Sequence, residues 1–454
     1  MKTSRAKKGS LALWMNGVFV GTWSMGANQP EIVTYADSWL ANDAARPLSL
    51  SLPFTPGNQP HRGDVVNSYF ENLLPDNKEI RERAARRYQT GSIDAFALLT
   101  EIGRDCVGAL QLLPSNVEAA GLQPINVTPL TDAEVAQLLR DTLAPAAIAG
   151  GRDDGDDEEF RISIAGAQEK TALVRYQDRW CLPHQHTPTT HIFKLPLGLV
   201  GGLQLDMRDS IENEWLCSLI LREFGLPVAH CEPWQFEDMK VLAVERFDRQ
   251  WWNGPNGATI IRLPQEDMCQ ATGLSPLMKY ESDGGPGIDR IIELLNMSMN
   301  RDEDRRVFFQ AQVLFWMLCA TDGHAKNFSI FLKPGGRFQL TPLYDVLSVY
   351  PWLGAGPGKL SPHKARMAMA VRATNPHRKM KEILRRHWLA VGERHGISTP
   401  DGQGTFAVLD DLVNRTPQVI AAVRAQLPNG FPQYVADSIL GGLQDAANRL
   451  RAST

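Results

Sequence analysis

The chain is poor in cysteine: 454 residues hold six, at 106, 181, 217, 231, 269 and 319, and none forms a CxxC pair. That spacing excludes a zinc ribbon or a dense disulfide framework, and points to free thiols in a reducing compartment. No run of about 18 apolar residues occurs, so no helical membrane span is expected. The N-terminus is basic (Lys2, Arg5, Lys7, Lys8), but no apolar core with a small-residue cleavage site follows. A soluble, cytoplasmic, globular protein is expected. An excess of one charge is also missing: 47 Lys and Arg against 51 Asp and Glu give a net charge of −4 and a pI near 6.2. A protein that grips nucleic acid through bulk charge is therefore disfavoured, although basic clusters stand at 364–372 and 378–386. No internal repeat is evident. What is present is 43% hydrophobic content, enough for two or three structural units.

Asn16-Gly17 lies between apolar stretches at 11–15 and 18–23, the strongest short signal for a β-hairpin. Leu48-Ser49-Leu50-Ser51-Leu52 alternates with period two, which predicts a half-buried strand. Helical patterns follow at 65–74, 78–88 and 132–143, around a mixed segment at 96–113. The Gly- and Asp/Glu-rich stretch 150–159 cannot pack a core and is expected to be a solvated linker. Beyond it, strand-like pieces recur at 160–164, 171–176, 191–195, 241–247 and 259–263. From about 289 helices dominate, interrupted only by a hairpin over 328–340. The expected division is a small α+β N-terminal subdomain (1–149), a β-rich part (150–288) and a helical lobe (289–454). The fold class is α+β, a two-lobed core of the kinase type with a β-rich lobe followed by an all-helical lobe.

The chemistry concentrates in Ala320-Thr321-Asp322-Gly323-His324-Ala325-Lys326-Asn327, at the end of an apolar run. An Asp followed five residues later by an Asn, with a second Asp (Asp345) after a predicted hairpin, matches the needs of phosphoryl transfer. A carboxylate orients the attacking hydroxyl and takes its proton, and hard oxygen ligands hold magnesium against nucleotide phosphates. Either Asp alone could equally cap a helix or start a turn.

Lys194 sits in an otherwise apolar strand and should face an anion or a polar opening, or else snorkel from an edge strand. Glu214, on a helix beginning near Asp209-Ser210, is its candidate ion-pair partner by analogy with kinases. Ser163-Ile164-Ala165-Gly166-Ala167-Gln168 joins two strand-like pieces and is either a phosphate cradle of backbone N–H groups or an ordinary turn. Glu245 and Phe247 end a hydrophobic strand that could border an adenine, or simply a charged strand end. The glycine-rich 282–287 loop suggests no chemistry.

These segments, in this order, resemble the HipA family of kinase toxins from HipA–HipB toxin–antitoxin modules. The resemblance rests on 160–173, 187–196, 243–249, 263–270, 280–287 and 320–327, with Glu71-Asn72-Leu73-Leu74-Pro75 and Ile102-Gly103-Arg104-Asp105 in the N-terminal part. It spans residues from about 11 to about 445 and implies a serine/threonine protein kinase that uses ATP and Mg2+. It makes Asp322 the catalytic aspartate and Asn327 and Asp345 the magnesium ligands. Lys194 would contact phosphates, and Glu245 and Phe247 the adenine. Ser163, Ala165, Gly166, Ala167, Gln168, His324, Lys326 and Asn327 would complete the nucleotide site. Ser163 would be autophosphorylated, and the added charge would repel ATP.

The implied partners are a HipB-type helix-turn-helix antitoxin, operator DNA reached mainly through it, and glutamyl-tRNA synthetase as target. The sequence departs from the family in a more acidic linker before 160 and in segment 199–207, which is shorter and differs where the family carries its activation loop. An Asp–Asn loop does not by itself specify the acceptor, so a small-molecule or lipid kinase, or a pseudokinase acting as co-repressor, stays open.

Overall fold

The computed structural model describes residues 9–26, 29–119, 121–143, 168–255 and 257–452. The chain divides into two compact units, one of Met1–Leu195, Trp234–Leu277 and Phe331–Arg337, the other of Pro196–Pro233, Met278–Ile330 and Phe338–Thr454.

In the first unit, strands Gly9–Met15 and Val18–Met25 form the expected hairpin. Asn16 and Gly17 both take positive φ, 48° and 81°, the backbone that a tight two-residue turn demands. These strands sit in a five-stranded antiparallel sheet with Ile32–Tyr35, His61–Arg62 and Leu110–Pro114. Helices Asp64–Glu71 and Ala95–Ile102 supply apolar residues to its core, where the buried Trp23 ring stacks on Phe70 at 3.6 Å and meets the Phe96 edge at 4.9 Å.

Residues 48–52 are not the predicted strand but a series of turns. Their N–H groups find side chains instead of a neighbouring strand: Leu48 donates to Tyr35 Oη at 2.8 Å and Leu50 to Glu266 Oε1 at 2.8 Å. Leu48 and Leu52 are buried, but so is Ser49, while Leu50 is only half-buried, so the period-two pattern does not survive in the turn.

Glu266 is fully buried there, and burial pushes its pKa up to about 8 from 4.5. The folded state therefore keeps a proton that the unfolded chain has released. Its stabilising contribution is complete below about pH 4.5 and is lost as pH rises through about 8. Glu266→Gln, which cannot titrate, is expected to raise the urea midpoint relative to wild type at pH 9 more than at pH 5. An offset identical at both pH values would contradict this.

The second sheet of this unit runs Met239–Glu245, His191–Lys194, Lys170–Tyr176, Arg179–Pro183 and Val127–Pro129, with Cys231–Phe236 beside Met239–Glu245. Helix Asp132–Leu143 packs Val135 and Leu139 into a core with Leu173, Phe193 and Phe236. A hairpin of Arg249–Gly254 and Gly257–Arg262 follows, with Trp251 stacked on Tyr176 at 5.8 Å.

Between the two sheets lies a buried charge cluster. Asp105 accepts from Arg246 Nη1 at 3.2 Å, Arg249 Nη2 at 2.9 Å, Arg262 Nε at 3.3 Å and Thr189 Oγ1 at 2.7 Å. Arg246 also forks onto Asp248, at 3.0 and 2.9 Å. Burial alone would push the Asp105 carboxyl up, but Arg249, Arg246 and Arg262 outweigh it and hold it well below the usual carboxylate range.

The second unit is built on helices Ser210–Glu223, Ile288–Leu295, Arg301–Met317, Arg385–Arg394, Thr405–Gln426 and Gln433–Ala452. Phe308 and Phe315 of the third pack on Phe328 at 4.9 and 5.6 Å. The helical region is broken by more than the predicted hairpin, since Arg366–Arg372 pairs with Pro376–Lys379. That ladder carries Pro376, His377, Arg378 and Lys379 on one side, residues with little strand propensity, so tertiary packing decides it. No described helix is long and apolar enough to cross a membrane.

Candidate active site

The loop 320–327 is launched by the end of helix Arg301–Met317. Cys319 N–H bonds Trp316 O at 3.1 Å and Ala320 N–H bonds Phe315 O at 2.8 Å, while Cys319 takes φ 51°. This is a Schellman stop with cysteine where glycine is usual. Residues 348–349 brace it: Ser348 Oγ donates to Leu318 O at 2.5 Å and Val349 N–H to Cys319 O at 3.1 Å. Asn213, fully buried on helix Ser210–Glu223, bonds both main-chain groups of Ser348 at 2.8 Å.

Within the loop, Asp322 projects a side chain that is 59% exposed. Its main-chain oxygen accepts from His324 N–H at 2.8 Å and from Asn327 Nδ2 at 2.8 Å. The second bond fixes the amide of the buried Asn327 by its nitrogen end and leaves its oxygen free of that contact. His324 Nε2 lies 3.9 Å from Asp322 Oδ1, and the Tyr280 hydroxyl donates to the same oxygen.

Strands Ser329–Leu332 and Phe338–Leu340 follow, and then Tyr344 reaches back. Its hydroxyl donates to Lys326 O at 2.9 Å and is 2.6 Å from Ser329 Oγ. That bond ties the segment carrying Asp345 to the loop carrying Asn327. Asp345 itself sits at φ 61°, a left-handed conformation uncommon for a residue with a Cβ and often found at functional positions.

All but one of the remaining candidates lie in the first unit. Lys194, 7% exposed, pairs with Lys170 and Leu242 in the middle of its sheet, not on the edge strand that a snorkelling lysine would need. Gln168 donates its side-chain amide to Leu195 O. Glu245 is exposed at the end of strand Met239–Glu245, and Phe247 meets the edge of Phe331 at 5.7 Å. Arg246 between them is locked into the Asp105 cluster. Glu214 is buried on helix Ser210–Glu223 of the second unit. Ser163, Ala165, Gly166 and Ala167 lie outside the described residues. Sequence reasoning missed Tyr280, Asn213 and Ser348, whose roles depend on contacts far along the chain.

No group of three or more His, Cys, Asp or Glu residues among the described residues could hold a metal. Magnesium needs no such cage when substrate phosphates and water complete its shell. The amide oxygen of Asn327 and the carboxylate of Asp345 are ligands of the right hardness, so the residues fit.

The mixed helix and sheet architecture is that of an α+β, kinase-like fold. The HipA structure from Shewanella oneidensis MR-1, solved with HipB and its operator DNA, superposes with a TM-score of 0.75 at 24% identity, covering 97% of each chain. The model of the HipA-like C-terminal domain matches residues 162–420 and that of the HipA N-terminal domain residues 11–113. The chain is 32% identical over 442 residues to Y4mE of Sinorhizobium fredii, a protein whose name assigns it as a kinase, covering 95% of this chain and 97% of that one. It is 27% identical over 359 residues to the serine/threonine-protein kinase toxin HipA of Shewanella oneidensis, covering 76% of each. The chain belongs to the HipA family of toxin kinases, and its enzyme class is that of the serine/threonine-protein kinases.

Proposed function

We propose that this kinase uses ATP and Mg2+ to phosphorylate serine or threonine in a protein target, as the toxin of a toxin–antitoxin pair. The observation that carries this reading is the loop itself: an exposed Asp322 carboxylate whose main-chain oxygen holds the Asn327 amide by its nitrogen, on a segment that Tyr344 ties to Asp345. Asp322 orients the acceptor hydroxyl and takes its proton. Asn327 and Asp345 would hold magnesium, which neutralises charge on the nucleotide phosphates when bound. Lys194, Gln168, His324 and Lys326 serve the phosphates and their surroundings, and Glu245 and Phe247 the adenine. Ala165, Gly166 and Ala167 belong to the phosphate-binding loop.

Ser163 is the autophosphorylation site in this reading, and a phosphate there adds close to two negative charges beside the nucleotide phosphates. The partner is a HipB-type antitoxin, through which the chain reaches operator DNA. Glutamyl-tRNA synthetase is the target, whose modification inhibits translation and promotes persistence; the site of action is the cytoplasm. Support for the partner comes from the HipB-bound relative, and for the target from family resemblance alone.

Two results test this. Incubation with [γ-32P]ATP, Mg2+ and purified glutamyl-tRNA synthetase should label the synthetase on serine or threonine. Mass spectrometry of the chain after ATP should find phosphate at Ser163, which Ser163→Ala removes. Labelling of another lysate protein in place of the synthetase would move the target, and phosphate confined to other residues would discard Ser163.

A further inference from the structure

The 282–287 loop offered no chemistry in the sequence, yet Tyr280 just before it reaches the Asp322 carboxylate. Tyr280 Oη donates to Asp322 Oδ1, and the Tyr280 ring stands edge-on to His324, with centroids 4.9 Å apart and planes at 87°. The segment is held from several sides. Ala325 N–H bonds Lys279 O at 3.1 Å, fastening it to the 320–327 loop. Tyr280 O accepts from Asp283 N–H at 3.0 Å and Gly285 N–H at 2.9 Å. A Cβ at Gly285 would lie 2.2 Å from Met278 O and 2.8 Å from Tyr280 O, so only glycine lets the chain fold back this closely. Glu281, its side chain 6% exposed, accepts from Arg372 Nε at 3.0 Å and from the Ala370 N–H, with Arg378 Nη2 at 3.6 Å. The tyrosine is thus delivered to the carboxylate by a built loop.

An aspartate on an exposed loop can rotate about χ2, and a base that rotates is misaligned for most of its time. A phenol donating to one oxygen removes that freedom. No described residue hydrogen bonds Asp322 Oδ2, which stays available to an acceptor hydroxyl. We propose that Tyr280 is a positioning residue for phosphoryl transfer, clamping Oδ1 of Asp322 so that Oδ2 faces the acceptor. This rests on the reading of Asp322 as the group that handles the acceptor hydroxyl.

The test compares wild type, Asp322→Asn, Tyr280→Phe and Glu281→Gln in transfer from [γ-32P]ATP to dephosphorylated casein, with thermal melts and calorimetric ATP binding. Tyr280→Phe keeps the ring against His324 and should lower kcat about tenfold to a hundredfold, the range for a hydrogen bond to a charged group. The KM for ATP, the ATP affinity and the melting temperature should stay within about twofold or a few degrees, since neither change touches a hydrogen bond to nucleotide. Glu281→Gln, which loosens the loop but leaves the phenol, should lower kcat less. A Tyr280→Phe kcat equal to or above wild type, with Asp322→Asn inactive, overturns the positioning role alone. Wild type that labels neither casein nor itself overturns the kinase reading with it.

Discussion

Asp105→Ala is expected to destabilise the first unit by about 3–5 kcal/mol, the cost of stripping one partner from a buried ion cluster. Asp105 and Asp248 face Arg246, Arg249 and Arg262, and these side chains are 2–9% exposed. Removing Asp105 leaves three guanidinium groups around one carboxylate, with no water to compensate. Arg262 suffers most: burial already lowers its pKa to about 10, and Asp105 is the carboxylate that opposes this. Asp105→Asn keeps the shape but not the charge and should lie between the two. Urea unfolding followed by tryptophan fluorescence reads the difference, and a midpoint unchanged in Asp105→Ala would contradict it. The cluster also ties Arg246, the residue between Glu245 and Phe247, to the N-terminal sheet. Loosening it is therefore expected to raise the KM for ATP in variants that still fold.

Asp322→Asn is expected to reduce the phosphoryl-transfer rate by about a hundredfold to ten-thousandfold, the range for loss of a general base. The substitution is nearly isosteric. The amide oxygen can still accept from Tyr280, and the main-chain oxygen still accepts from His324 and Asn327, so the loop should keep its form. What disappears is the negative charge that orients and deprotonates the acceptor. ATP affinity, carried by other groups, should change little.

The sequence revealed most where the partners are near neighbours. The Asn16-Gly17 hairpin and the Asp322-to-Asn327 loop are local, and each followed from residue type and spacing. The return of Tyr344 and Asp345 to that loop was also legible, because a short hairpin leaves the chain little choice.

The failures have one physical cause. Leu48 to Leu52 alternate like a strand, but their N–H groups pair with Tyr35 and with Glu266, 216 residues from Leu50. Tyr280 meets Asp322 across 42 residues, and Asn213 meets Ser348 across 135. Period and propensity cannot anticipate pairings that only the folded unit creates. The hairpin at 366–379 was hidden for a related reason, since its second strand is Pro376-His377-Arg378-Lys379, which no local preference would make a strand.

The central claim is that Asp322 acts on an acceptor hydroxyl in an ATP- and Mg2+-dependent transfer. Its most direct test is the initial rate of 32P transfer from [γ-32P]ATP to protein serine and threonine, measured for wild type and Asp322→Asn matched in melting temperature and ATP affinity. Wild type is expected to show transfer that EDTA abolishes, and the variant to be slower by at least about a hundredfold. Equal rates for the two proteins would contradict it.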